Sequence, residues 1–385
     1  MASILSRFVS GGIQFIMSKV IFIDASRSLQ LSNIGGTNSI VRRLIHELPL
    51  DEKVVLLDIN GKNSALLCLS KNVHYKSFSG LFGLLRYLSL ENPSSVIDIY
   101  LHPFQRLVYG MYRIFYRKHW FGKIYCSWPD SKFKRLLSFA DAIFFRYNGP
   151  VFCVTERQKS FLEKFFVKTA LKMWPPIPKE YFKTSTSVDQ PGEPIVITWI
   201  GRLDKGKGAD LAFSILENFL GDGRFELRVL AHSVHNDLSM SIPKNLLNQP
   251  NCKIQEVQYN GYDESLDKQV SDLLKSTTIF ISPYRLLSST IDCPMLIQEA
   301  AAANCIIVSK AYPIIAAIVG NDEYLIPRDL DDETLISASL DKIYQALSDI
   351  RNEKIRLALH VDGLDFSSEK VSQQFRKSLP NFKRV

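Results

Sequence analysis

Ile195-Val-Ile-Thr-Trp-Ile-Gly-Arg-Leu-Asp-Lys-Gly-Lys-Gly208 is the stretch on which the fold turns. Ile195 to Ile200 is a short apolar run bounded by a glycine, the pattern of a buried strand. From Ala209 to Phe219 the apolar side chains recur at helical spacing. Strand, glycine turn and helix in that order form half of a βαβ unit. The turn carries Arg202 and Lys207, which can both reach a point just beyond the strand end, where the N-terminus of the next helix also favours negative charge. A diphosphate suits that point. The spacing is not that of a P-loop, because no GxxxxGK[ST] occurs. Taken by itself, the segment reads equally as a solvated basic turn.

The same alternation extends in both directions. Downstream, Glu226 to Leu230, Lys253 to Val257, Ile279 to Ser282 and Ile306 to Ser309 read as strands. Helices are expected near Asp267 to Lys275, Ile297 to Ala303 and Asp332 to Ser348. A last one spans Ser367 to Leu379, with Ser367 or Ser368 as N-cap and Glu369 in its first turn. Upstream, Lys19-Val-Ile-Phe-Ile-Asp24 is a strand, Gly35-Gly36-Thr37 a turn, and Ile40 to Leu48 a helix. Val54 to Asp58, Val96 to Leu101, Ala142 to Phe145 and Val151 to Thr155 follow as strands. Between the two series, Lys183 to Pro194 is rich in Ser, Thr, Asp, Pro and Gly, with no hydrophobic period. The linker is therefore placed at 184–193, separating a domain of residues 1–183 from one of residues 194–366. Alternating strands and helices predict an α/β fold with parallel sheets covered on both faces. Two such domains leave a cleft at the carboxyl ends of their strands, where ligands of these folds bind.

Length agrees with two cores, since 385 residues exceed what one core usually serves. The net charge of +8 is uneven: residues 1–193 hold 26 Lys and Arg against 14 Asp and Glu, and residues 194–385 hold 21 against 25. The basic half should be drawn to something anionic, and charge alone admits nucleic acid, lipid headgroups or acidic substrates. Cys68, Cys126, Cys153, Cys252, Cys293 and Cys305 lie far apart, with no CxxC and no zinc spacing, as expected of reduced thiols in a cytoplasmic protein. No apolar run reaches the ~20 residues that cross a bilayer. Residues 1–17 lack the pattern of a secretory signal, and Met17 offers an alternative start to Met1.

Further motifs fall around the expected cleft. Ile279-Phe-Ile-Ser-Pro283 closes a strand, and Ile297-Gln-Glu-Ala-Ala-Ala-Ala-Asn-Cys-Ile-Ile-Val308 places Glu299 near the start of a small-residue helix. There it can suit the helix dipole or, facing the cleft, accept hydrogen bonds from two ribose hydroxyls. Together these segments resemble glycosyltransferase family 4. Gly201-Arg202 with Lys207-Gly208 looks like the family's diphosphate site, and Ile281-Ser-Pro283 with Glu299-Ala300 like its P-S…E-A segment. Gly35-Gly36-Thr37 resembles its loop after the first strand, and Asp98-Ile-Tyr-Leu-His102 a strand ending in an active-site histidine. Trp174 to Phe182 resembles the stretch that closes the first domain. Phe366-Ser-Ser-Glu-Lys-Val371 looks like the start of the terminal helix, so 367–379 is expected to return to the first domain.

The resemblance implies a GT-B fold, two Rossmann-like parallel-sheet domains facing a cleft. It also implies transfer from a nucleotide-diphosphate sugar with retention, without metal or other cofactor. Under it Arg202 and Lys207 neutralise charge growing on the leaving diphosphate, the part a divalent cation plays elsewhere. Gly36 lets a backbone amide approach phosphate, and His102 faces the donor sugar or is only a satisfied polar residue at a strand end. One departure stands out. The family's second glutamate, eight positions before Glu299, is here Ile291, with Asp292 one place off. The usual glycine-rich stretch reads Asp292-Cys-Pro-Met-Leu296, so Asp292, Pro294, Met295 and Leu296 occupy the donor loop, and Pro294 has no N–H to give.

From Phe104 to Arg135 aromatic and aliphatic residues interleave with Arg106, Arg113, Arg117, Lys118 and Lys123. Such a segment either lies in an anionic headgroup layer or is a domain helix with its aromatics in the core. The partners expected are a nucleotide-diphosphate sugar, a saccharide or lipid-linked acceptor and an anionic membrane surface at the cytoplasmic face. Nucleic acid is not expected, since no reader motif is present. Two other readings stay open: a catalytically degenerate relative acting as a binding subunit, and another chemistry on a nucleotide sugar such as phosphorolysis or epimerisation.

Overall fold

The computed structural model describes residues 19–24, 36–47, 53–58, 73–91, 93, 95–116, 120–126, 147–164, 170–183, 193–234, 240–259, 264–285, 293–320, 322–352 and 366–379. Among these, two parallel sheets carry the chain. The first holds β1 (Lys19–Asp24), β2 (Lys53–Asp58), β3 (Val73–Ser77), β4 (Ser95–Tyr100), β5 (Trp120–Tyr125), β6 (Val151–Cys153) and β7 (Ala170–Lys172), in the order β3-β2-β1-β4-β5-β6-β7. Helices α1 (Gly36–His46), α2 (Leu81–Glu91), α3 (Pro103–Phe115) and α4 (Glu156–Lys164) connect them. In β1 every residue from Val20 to Ile23 is buried, as a strand covered on both faces must be. Ile21 and Ile23 face Leu84, Leu88 and Tyr109 of α2 and α3. Val20 and Phe22 face Ile40 and Leu44 of α1 on the other side.

The second sheet has the order β10-β9-β8-β11-β12-β13. Its strands are β8 (Ile195–Arg202), β9 (Phe225–Val234), β10 (Cys252–Tyr259), β11 (Ile279–Ser282), β12 (Ile306–Lys310) and β13 (Leu325–Ile326). Helices α5 (Ala209–Glu217), α6 (Lys244–Leu247), α7 (Glu264–Lys275), α8 (Met295–Ala302), α9 (Pro313–Val319) and α10 (Asp332–Arg351) cover it. Ile197 and Trp199 of β8 pack with Phe213 of α5 and Ile343 of α10. Ile200, one residue on, packs with Leu274 and Ala300 of α7 and α8. In each sheet the strand order reverses once, between β1 and β4 and between β8 and β11. Such switch points open crevices at the carboxyl ends of the strands.

Helix α11 (Ser368–Ser378) ends the described chain. Ser367 caps it, accepting from the Lys370 amide, and Ser367 bridges to Ile177. Phe375 then packs its ring on Phe22 and Phe152 of the first sheet at 5.9 and 5.0 Å. Ser372 donates to the Glu47 carbonyl and Gln374 to that of Lys172.

Four strands escape the sequence pattern for physical reasons. β3 and β13 are sheet edges, and His74 and Lys76 of β3 are exposed. β7 is a three-residue edge. β5 is interrupted by Gly122 and Lys123, a polar pair that reads as loop. Lys123 is buried there because it pairs with Asp98 of β4. The strand expected at Ala142 to Phe145 and most of the linker lie outside the described residues. The basic segment 104–135 is neither one surface helix nor one core helix. Its first part is α3, Trp120 to Tyr125 is an inner strand, and the rest from 127 lies outside the described residues. No helix among the described residues is long and apolar enough to cross a membrane.

Candidate functional site

The turn after β8 is built by its own side chains. Asp204 accepts from the Lys207 amide at 2.8 Å, and the Lys205 carbonyl accepts from the Gly208 amide at 3.0 Å. Aspartate at the start of such a turn supplies the acceptor that the backbone lacks. Gly208 then takes a left-handed φ of +71° and caps α5. A Cβ there would lie 2.0 Å from the carbonyl oxygen of Pro283, so only glycine lets the two loops meet. The motif after β8 is thereby locked to the end of β11, its neighbour across the switch point.

The charges follow that junction. Arg202 ends β8 half-exposed, its Nε 3.2 Å from Asp204. The Lys207 ammonium lies 5.1 Å from the ring centroid of Tyr284. Burial, joined by the nearby Arg202 charge, lowers Lys207 to about 8. Tyr284 is itself buried, and burial, with the charges of Glu299 and Asp204 behind it, pushes its hydroxyl up to about 12. Tyr284 thus joins the basic turn to Glu299. Arg285 continues the clasp by donating to the Lys205 carbonyl, to Asp210 in the first turn of α5 and to Asp332 in that of α10.

Helix α8 changes two expectations. It starts at Met295 with Pro294 as its N-cap, so Glu299 sits in the second turn and no acid occupies the first. Ile297 and Gln298 already donate to the Pro294 carbonyl, which leaves the Met295 and Leu296 amides as the end groups without an intrahelical partner. Pro294 thus costs α8 its N-cap donor, and the Met295 and Leu296 amides are the ones it can still present. Glu299, moreover, is not an open carboxylate: it takes a 2.6 Å hydrogen bond from Arg43 of α1. Both side chains are more than nine-tenths buried. Burial works against the Arg43 charge, but Glu299, Tyr181 and Asp267 outweigh it and hold the guanidinium protonated above its ordinary range. Arg43 also donates to the Pro176 carbonyl at 3.4 Å and lies over the Tyr181 ring, so it ties both sheets to the segment between them.

The remaining candidates are spread over the fold. Gly201 is inside β8, and Gly36 and Thr37 open α1. Gly35, Ile291 and Asp292 lie outside the described residues. His102 is exposed at the N-cap of α3, two residues beyond β4, with its amide donating to Gln105. The structure therefore draws Arg202, Lys207 and Glu299 into one neighbourhood and leaves His102 at the carboxyl edge of the first sheet. Sequence reasoning missed Arg43, Tyr284 and Arg285. Arg43 has no local signal, since its partner is 256 positions away. Tyr284-Arg285 directly follows Pro283, so its signal is local.

Two parallel-sheet α/β domains with ligand crevices at their switch points are the GT-B architecture. No family model matches the sequence, and no curated protein matches it. Solved structures do. HepE of Anabaena, in complex with UDP and glucose, superposes with a TM-score of 0.65 at 11% identity, over 94% of this chain and 99% of that one. A glycosyltransferase of Rickettsia africae gives 0.66 at 14% over 95% and 100%. The lipopolysaccharide outer core galactosyltransferase WaaB gives 0.60 at 14% over 94% and 98%. At such identities the likeness is one of fold.

Proposed function

We propose that this chain transfers a hexose from a UDP- or GDP-linked sugar to a saccharide or lipid-linked acceptor with retention of configuration, in the synthesis of an envelope polysaccharide or glycolipid. The observation that carries the reading is the junction of the two loops, where Gly208 closes on Pro283 and sets Arg202 and Lys207 at the switch-point crevice of the second sheet. In that crevice the diphosphate leaves the anomeric carbon, and Arg202 and Lys207 oppose the charge growing on its oxygens. Each such contact contributes ~2–4 kcal/mol to the transition state. The Met295 and Leu296 amides, and that of Gly36 across the cleft, add donors aimed at phosphate. Glu299 gives one oxygen to Arg43 and keeps the other for a ribose hydroxyl. His102 would face the donor sugar and Asp292 would take up its recognition. No resident metal has a part in this scheme. HepE, a neighbour in fold, is described with UDP and with UDP-glucose, which supports a nucleotide-sugar donor here.

The test is thermal stability of the purified chain against nucleotide diphosphates and nucleotide sugars, with Arg202→Ala and Glu299→Ala alongside. A ligand at 100 times its Kd adds about 2.7 kcal/mol to the folded state. A base-selective rise that both variants lose is expected. No rise with any nucleotide would sink the transferase reading and leave a binding subunit.

A further inference from the structure

Single exposed apolar side chains are ordinary, but gathered ones mark a docking face. Nine large apolar side chains among the described residues are exposed, and seven of them lie between Phe82 and Trp120. They are not scattered there. On α3, Leu107, Met111, Ile114 and Phe115 are 41–81% exposed. At 3.6 residues per turn these four positions share an arc of about 100°. Tyr109, Tyr112 and Arg113, all buried, lie on the opposite side of the helix. Helix α3 is therefore apolar twice, once toward the sheet and once away from it.

Helix α2 packs beside α3, with Ser89 hydrogen-bonded to Tyr112, and continues the pattern. Its core side holds Leu81, Leu84 and Leu88. Phe82 and Leu90, 81% and 75% exposed, fall on the outer side with Arg86, also exposed, between them. Trp120, 44% exposed at the start of β5, follows the end of α3 by a few residues.

The charge of the region selects the occupant. Among the described residues of 73–126, Lys76 and Arg86 are exposed and Arg106 half-buried, against one exposed acid, Glu91, while Arg113 is buried and Lys123 and Asp98 are buried against each other. Aromatic and aliphatic side chains with cations among them, and hardly any acid, match a layer of anionic headgroups over acyl chains. We infer that the outer face of α2 and α3 seats on an anionic lipid bilayer. Helix α3 begins beside His102 at the cleft and runs along the membrane plane for about 20 Å. An acceptor embedded in that bilayer would meet the cleft from its edge. The inference stands apart from the donor chemistry, because it rests on a different face of the first sheet.

The experiment is sedimentation of the full chain with phosphatidylcholine vesicles, with and without phosphatidylglycerol, at low and high salt. Phe82→Ser/Phe115→Ser and Arg86→Glu are compared with the wild type. Binding only to phosphatidylglycerol vesicles, reversed by salt and weakened about tenfold or more in each variant, is expected. The thermal transition and the response to nucleotide diphosphates, measured on the same samples, should not change. Wild type that stays in the supernatant overturns the inference, as does binding that both variants retain. A dimer that Phe82→Ser/Phe115→Ser dissociates, without vesicle binding, would also overturn it and give the face to a second copy. Vesicle binding without a nucleotide response would sink the donor reading and leave the membrane face intact.

Discussion

Raising the pH from 7 to 9 should weaken nucleotide diphosphate binding about tenfold, through Lys207 alone. Burial and Arg202 lower this lysine from 10.5 to about 8 in the free protein. The difference corresponds to about 3 kcal/mol of disfavoured positive charge. In the unliganded chain that cost to stability is present below pH 8. It is relieved as pH rises from 8 toward 10.5, where the unfolded chain still holds the proton and the folded one has released it. A bound diphosphate reverses the preference by supplying the missing counter-charge. Affinity is therefore full below pH 8 and falls above it, and binding at pH 9 takes up close to one proton. With a value near 8, about nine-tenths of Lys207 is charged at pH 7 and about one-tenth at pH 9, which sets the tenfold figure. Tyr284, whose ring faces Lys207, is silent in this window because its hydroxyl is pushed up to about 12. Calorimetric titration in two buffers of different ionisation heat measures affinity and proton uptake together. Lys207→Arg, whose guanidinium stays charged, should bind with an affinity that does not change from pH 7 to 9. A flat profile for the wild type, or the same slope in Lys207→Arg, would refute the placement of Lys207 at the diphosphate.

Two further outcomes follow from the contacts. Arg43→Ala leaves Glu299 buried without its counter-charge, so denaturant unfolding should show a loss of about 3–5 kcal/mol, and Arg43→Ala/Glu299→Ala should lose less than the sum of the single changes. Gly208→Ala places a methyl group 2.0 Å from the Pro283 carbonyl oxygen at a φ of +71°. The left-handed backbone alone costs about 1–2 kcal/mol, and the enforced separation of the two loops should abolish the nucleotide response even at temperatures where the protein stays folded.

Much of the architecture was legible in the linear chain because its signals are local. Buried parallel strands such as Val20 to Ile23 and Ile195 to Ile200 are unbroken apolar runs, and the helix between Ser367 and Leu379 announces its cap three residues ahead of the bond it makes. The turn after β8 was equally open to reading, since Asp204, Lys207 and Gly208 act within a few residues of one another. The edge strands β3, β7 and β13 and the inner β5 were not, because a short edge needs no apolar alternation and Lys123 becomes a strand residue only once Asp98 lies beside it. Glu299 could be picked out by its place on a small-residue helix, but its partner could not. Arg43 meets it only because the two sheets are brought together, and no periodicity relates positions so far apart. Likewise, the chain shows α3 to be apolar around its circumference, while the packing on β1 and β5 alone decides that Tyr109 and Tyr112 are core and that Leu107, Met111 and Phe115 face outward. Composition and spacing determine which segments can be buried; which of their faces is covered, and which distant charge meets which, depends on the whole chain having folded.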